Sequence, residues 1–400
     1  MNANREILKV SLQRPRHQAL DDDLCKAVIF SENPKIVLGN STELNTLVEE
    51  VRPAPDSLFG PRSAVVLSDG SFWIADTGHH RLLGWKCIPD EAEAAEWIIG
   101  QNDFYSEGRN GNAKVRAHSV NVPVGLCRLG DGMALADSWN NRILIWSSPP
   151  KRNNQNADLV IGQVDFNTGE NNQGSSHPSA SSLHWPSGIF SDGKRLFVAD
   201  TGNRRVLIWN RIPEKNNSPA DIVLGQNDFD TRDENAGRSP SDMSMRWPHA
   251  ITYFDEKLCV ADAGNNRIMI WDGIPASNGE PCYCVLGQND FSSSEHNQAN
   301  YWPNAGSLNM PYGLAAAGDW LLVADTANSR ILAFHKNEIA NGAKAFALLG
   351  QRGMHEKGDN RWCKASSDSL CWPYSISLHE EQIIICDSGN NRVSIWGIKL

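Results

Sequence analysis

An aspartate followed five residues later by an arginine occurs six times in this chain, at Asp76/Arg81, Asp137/Arg142, Asp200/Arg205, Asp262/Arg267, Asp325/Arg330 and Asp387/Arg392. Six carboxylate–guanidinium pairs have the look of a catalytic ring. The pairs sit in near-copies of one segment, ADTGHHRLLGW from Ala75, ADSWNNRILIW from Ala136, ADTGNRRVLIW from Ala199, ADAGNNRIMIW from Ala261, ADTANSRILAF from Ala324 and CDSGNNRVSIW from Cys386. Residues present identically in every copy serve the repeat, whereas a site breaks its symmetry. The expectation is therefore structural: the aspartate closes a tight turn by accepting backbone N–H groups, and the arginine reaches back to it or to a neighbouring repeat. Gln101, Gln163, Gln226 and Gln288, mostly followed by Asn-Asp-Phe, could contact a sugar, but their repetition again favours turn chemistry.

The aspartates are 61 to 63 residues apart, and two further landmarks keep that beat. A proline precedes each aspartate, at Pro61, Pro123, Pro186, Pro248, Pro311 and Pro373, and an apolar-Gly-Gln step follows it, ending in Gly100, Gly162, Gly225, Gly287 and Gly350. Between the landmarks lie short apolar runs such as LFVAD, RVLIW and DIVLG, bounded by Asp-Gly, Thr-Gly-Asn and Ile-Pro breaks. That pattern gives about four strands per period and no convincing helix, so the expected fold is all-β, a six-bladed β-propeller of four-stranded antiparallel blades. The blades fall near residues 61–102, 123–165, 186–228, 248–290, 311–352 and 373–400. The excess length of each period lies between the Gln-Asn-Asp-Phe segment and the next proline, and reads as polar loops. Trp85, Trp146, Trp209, Trp271 and Trp396, with Phe334 in the fifth copy, are expected to pack between blades.

The last period stops short of its Gly-Gln strand, and an orphan copy, Ile36-Val37-Leu38-Gly39-Asn40, stands at the other end. Residues 36–40 are expected to complete blade six and close the ring, which removes an open edge. Residues 36–400 then form one propeller domain and residues 1–35 an N-terminal extension that could lie across one face.

These motifs resemble the NHL-repeat proteins, whose pattern runs from a Leu-x-x-Pro step through Val-Ala-Asp-Thr-x-Asn-x-Arg; the match covers six repeats and nearly all of residues 36–400. The resemblance implies a six-bladed propeller. It leaves function open, since the family includes RNA-binding modules, extracellular sensor domains, protein-interaction platforms and diverged metal-dependent lyases and hydrolases.

Symmetry breaks at the residue after each proline, which an innermost strand places near the mouth of the central channel: Arg62, Val124, Ser187, His249, Tyr312 and Tyr374. Arg62, His249, Tyr312 and Tyr374 make a polar, aromatic and cationic rim of the composition found at protein-interface hot spots. The turns on the same face add His79, His80 and Trp139 where other copies carry Gly, Asn or Arg. A zinc site would have to be assembled across blades, for example from His80, His184 and His249, because no H-x-x-x-H or H-E-x-x-H spacing occurs; no metal or other cofactor is expected. Cys282 with Cys284, on one strand face, reads as space-filling, while Cys363 with Cys371 is open between soft-metal binding and packing.

A formal net charge of -10 argues against nucleic acid and anionic lipid as partners. No apolar run of membrane-spanning length and no signal-peptide pattern is present, and nine cysteines without a C-x-x-C pair fit reduced thiols, so the expected location is the cytoplasm. No G-x-S-x-G elbow or phosphate-binding glycine loop occurs. The leading expectation is a non-enzymatic scaffold or assembly factor that binds a protein partner through its loop-bearing face. The alternative is a channel-mouth small-ligand sensor or metal-dependent lyase or hydrolase, and the third reading is an RNA-binding propeller.

Overall fold

A computed structural model describes residues 29–39, 51–91 and 93–400. Six four-stranded antiparallel sheets stand around a central channel, and the described residues contain no helix longer than a short 3-10 turn. In blade three the strands run Pro186–Ser191, Leu196–Asp200, Arg205–Trp209 and Ile222–Leu224, from the channel outward. The two middle strands of that blade are buried along their whole length. They read as continuous apolar runs because each blade is covered on both faces by its neighbours.

The core is accordingly divided. Each hydrophobic cluster joins two adjacent blades, as where Ala134, Ile143 and Ile161 of blade two meet Val198, Leu207 and Trp209 of blade three. The expected inter-blade aromatics are all buried, and the indole N–H of Trp146, Trp209 and Trp271 donates to a carbonyl nine residues further on. Blade six consists of Pro373–His379, Gln382–Asp387 and Arg392–Gly397, and Ile36–Gly39 is its outermost strand, paired antiparallel with the last. The ring closure expected from the orphan segment is thus present; Asn40 lies outside the described residues. Ile29 and Phe30 are also buried in the blade five–six cluster, Phe30 forming a bridge to Ile398.

The repeated ion pair organises every blade. In blade five the Asp325 Oδ2 accepts from Arg330 Nε at 2.7 Å and from Asn328 Nδ2 at 2.8 Å, while Oδ1 accepts the N–H of Asn309 at 2.7 Å. The rest of the Arg330 guanidinium donates to the carbonyls of Met354, Asn304 and Ser307. One fully buried pair therefore ties together two strands, the Gly-Gln segment and the loop before the proline. The Gln side chains act locally too: Gln226 Nε2 donates to Asp233 O at 2.8 Å, after Gly225, at φ +87°, has turned the chain out of its strand.

The long connections are polar loops, as expected, and each contains the same 3-10 turn with a left-handed asparagine, at Asn110, Asn172, Asn235, Asn297 and Asn360. That asparagine pairs with the asparagine three residues after the next blade's aspartate; Asn172 and Asn203 exchange amide hydrogen bonds of 3.1 and 2.8 Å. The connections are part of the repeat. Their spread of charged and polar types had hidden a single conserved-in-space amide clamp.

Truncating Arg330 to methionine leaves the Asp325 carboxylate buried without its cation. The expected loss is about 3–5 kcal/mol of unfolding free energy, read as a lower urea midpoint at unchanged slope.

Candidate functional site

The same buried aspartates set the geometry of the channel mouth. Their Oδ1 atoms hold the backbone two residues before each proline, at Phe59, Asn121, His184, Arg246, Asn309 and Cys371. The next N–H, directly before the proline, reaches the turn of the preceding blade: Gly60 to Asn391 Oδ1, Val122 to His80 Nδ1, Trp185 to Asn141 Oδ1, Met310 to Asn266 Oδ1 and Trp372 to Ser329 Oγ, at 2.8 to 3.3 Å. Those five residues have φ between 48° and 54°. A left-handed backbone at valine, methionine and tryptophan is costly, and the cross-blade bond is what holds it. The conformation turns the side chains of Trp185 and Trp372 onto the open face.

Blade four departs from this rule. The accepting position in blade three is Arg204, which has donors only. The Trp247 N–H turns to Asp262 Oδ1 at 3.3 Å, an atom already bonded to the Arg246 N–H, and Trp247 is absent from the left-handed set.

After the prolines, four of the six inner residues form one wall. His249 and Tyr312 stack with ring centroids 4.1 Å apart and 9° between planes, Tyr312 lies 4.9 Å from Tyr374, and the Arg62 guanidinium sits 4.7 Å above the Tyr374 ring. Across from them Val124 and Ser187 are small. The mouth therefore opens toward blades two to four, into a cavity of about 670 Å³ bounded by Trp139, Trp185, Trp247, Arg204 and Arg232. A second lobe of about 680 Å³ on the other side of Arg62 is bounded by Phe59, His80, Trp139 and Trp372.

The imidazoles here are neutral. His249 Nδ1 donates to Trp247 O at 3.2 Å, and burial, aided by the nearby Arg62 charge, pushes its pKa down to about 4. Burial lowers His184 as well, with Arg232 and Arg204 adding to the effect, and lowers His80 against the opposing pull of Asp137 and Glu107. Burial also raises the phenols of Tyr312 and Tyr374, so both stay protonated.

Of the residues singled out in the sequence, Arg62, His249, Tyr312, Tyr374 and Trp139 converge on the mouth. His80 lines the second lobe, where its Nδ1 is committed to the Val122 N–H. His79 is withdrawn from the surface: it is fully buried, bonded through Nδ1 to Asp76 Oδ2 at 2.8 Å and through Nε2 to Val51 O at 3.0 Å, in the place that the clamp asparagine takes in other blades. Residues missed were the tryptophans before the prolines, Trp185, Trp247 and Trp372, although a tryptophan directly before the proline recurs in three of the six copies. Arg204 was missed as well, and its signal was a cation at a position otherwise filled by His, Asn or Ser.

Among the described residues no group of three His, Cys, Asp or Glu side chains is placed to hold a metal ion. Cys282 and Cys284 are buried thiols whose pKa values burial pushes up to about 12 and about 11. Cys363 is exposed and Cys371 half-buried, each a free thiol. No helix among the described residues is long and apolar enough to cross a membrane.

The NHL repeat family model matches residues 60–85, the first of the six copies, and together with the six-bladed ring supports an NHL-repeat propeller. No curated protein sequence matches the chain. Among solved structures it is similar to Raptor from Chaetomium thermophilum, with a TM-score of 0.47 and 11% identity over 93% of this chain and 30% of that one. It is similar also to a catalytically inactive virginiamycin B lyase from Staphylococcus aureus with quinupristin, with a TM-score of 0.42 and 15% identity over 89% and 86%. Hydrazine synthase of Kuenenia stuttgartiensis gives 0.47 and 11% over 88% and 97%. Likeness at this level carries nothing about activity.

The depressed His249 pKa has a consequence for stability. The unfolded chain binds a proton at this imidazole below about pH 6.5 and the folded chain only near pH 4, so its contribution is intact above 6.5 and lost as the pH falls between the two. Replacing His249 with phenylalanine, which keeps the stack on Tyr312, is expected to recover about 2 kcal/mol of that acid-side loss in urea titrations run at pH 7 and pH 4.5.

Proposed function

We propose that this protein is a non-enzymatic, cytoplasmic scaffold or assembly factor that binds a protein partner through its channel-mouth face. The observation that carries the reading is the exposure of large apolar side chains around one opening: Phe59 45%, Trp139 58%, Trp185 53%, Trp247 43% and Trp372 40%. Aromatics are normally buried, and a concentration of tryptophan around tyrosine and arginine is the composition of interface hot spots. Each of these side chains is held outward by the rigid repeat rather than by a mobile loop, so little ordering is needed on binding. Free thiols at all the described cysteines support a reducing compartment.

A small-ligand sensor is the second reading, favoured by the size of the 670 Å³ cavity, which falls in the range of ligand pockets. The two separate in one experiment. Tagged protein is captured with its partners from its own cells beside a variant carrying Trp139→Ser, Trp185→Ser and Trp372→Ser, and the recovered partner is then purified and titrated. The expected result is one partner that binds wild type and loses at least tenfold in affinity with the variant, whose melting temperature stays within a few degrees. A partner that binds both alike, or none at all beside a small-molecule thermal shift of wild type, would overturn the scaffold reading.

A further inference from the structure

The 670 Å³ lobe differs in charge from the rest of the molecule. Its wall carries Arg62, Arg204 and Arg232, against Asp233 and Glu234. Glu234 is already paired with Arg246 at 2.9 Å, so two guanidiniums are left without a compensating carboxylate, in a chain of net charge -10. Arg62 makes no ion pair among the described residues and rests on the Tyr374 ring. Arg204 donates through Nη1 to Gly202 O at 2.9 Å and Arg232 O at 3.3 Å, while its buried Nε has no partner. Burial is the main cause of the lowered pKa values of His184 and His249, and the arginines beside them act in the same direction.

Arg204 also breaks the repeat. Every other blade has an acceptor there that holds the next blade's pre-proline N–H, and Arg204 gives that bond up. A guanidinium that departs from the repeat and lines an open cavity between exposed indoles is the pattern of a ligand contact.

We propose that the blade two-to-four half of the mouth receives an acidic peptide segment: a side-chain or terminal carboxylate is held by Arg62, Arg204 and Arg232, and an adjacent apolar side chain packs on Trp139, Trp185 or Trp247. This rests on the protein-binding reading and names the chemistry of the partner. Planar guanidiniums match a carboxylate in bidentate fashion, and the indoles supply the apolar contact that separates a peptide from a free anion.

The test uses the full chain on an array of random octapeptides, followed by fluorescence anisotropy with the best binders. The bound set is expected to be enriched in Asp or Glu next to Phe, Leu or Trp. Exchanging the acidic residue for its amide in the peptide, or Arg204→Gln with Arg232→Gln in the protein, should each weaken binding at least tenfold, and raising salt should weaken wild type more than the arginine variant. Arg62→Gln, which leaves the loops untouched, guards against a folding defect in the double variant. Bound peptides without acidic enrichment, a preference for phosphoserine over glutamate, or equal binding by wild type and the arginine variants would overturn the proposal. A cellular partner lost by the tryptophan variant but kept by the arginine variants would overturn it too, while leaving the scaffold reading standing.

Discussion

One buried carboxylate per blade carries the architecture. Each aspartate gives one oxygen to the backbone before the proline and the other to an arginine and, in five blades, to an asparagine. An uncompensated charge at that depth would be prohibitive, so the arginine is obligatory, and its remaining donors must in turn find carbonyls. They find them just after the Gly-Gln step in blades one to five and, in every blade, in the loop before that blade's own proline. A local ion pair thereby becomes the joint between four parts of the chain, and six such joints place six inner strands around one axis. The apolar clusters lie between blades, so neither a blade nor a joint is stable alone, and the outermost strand from the other end of the chain is what makes the last blade like the first.

The mouth inherits its rigidity from these joints and its character from the departures. Where the repeat is kept, the pre-proline residue is held left-handed and its side chain faces out; where a tryptophan occupies it, an indole is displayed at a fixed angle. Large residues after the proline in blades four, five, six and one fill half of the opening, and small ones in blades two and three leave the other half as a cavity. Arg204 then loosens one joint and puts a cation there. The binding surface is thus a set of substitutions on a frame whose own residues are occupied with holding it.

The fold was legible because its signals are repeated: six Asp/Arg pairs on a 61-to-63-residue beat, and an orphan strand at 36–40 matching a missing one, are coincidences that only ring closure explains. The order inside the polar connections was not legible, since their asparagines are embedded in varied polar sequence and a left-handed asparagine carries no periodic apolar signal. Part of the site was legible too, because the position after a proline at the start of an inner strand has a defined place, which brought Arg62, His249, Tyr312 and Tyr374 together. His79 went wrong for a physical reason: it stands in for the clamp asparagine, and an imidazole can fill that buried role by bonding Asp76. Trp185 and Trp372 escaped because a tryptophan beside a proline reads as core until the positive φ that expels it is known, and Trp247 is exposed at the same position without that conformation.

Arg204 is the residue at which serving the ligand and serving the frame can be told apart. Replacing it with asparagine, the residue that blades two, four and six carry at this position, should restore an acceptor for the Trp247 N–H. Chemical unfolding of Arg204→Asn beside wild type is the direct measurement. The expected result is no loss of stability, the recovered hydrogen bond of about 1 kcal/mol offsetting the left-handed backbone that Trp247 would take on, together with weaker binding of the partner. A variant less stable than wild type would contradict it, since Arg204 would then be part of the frame.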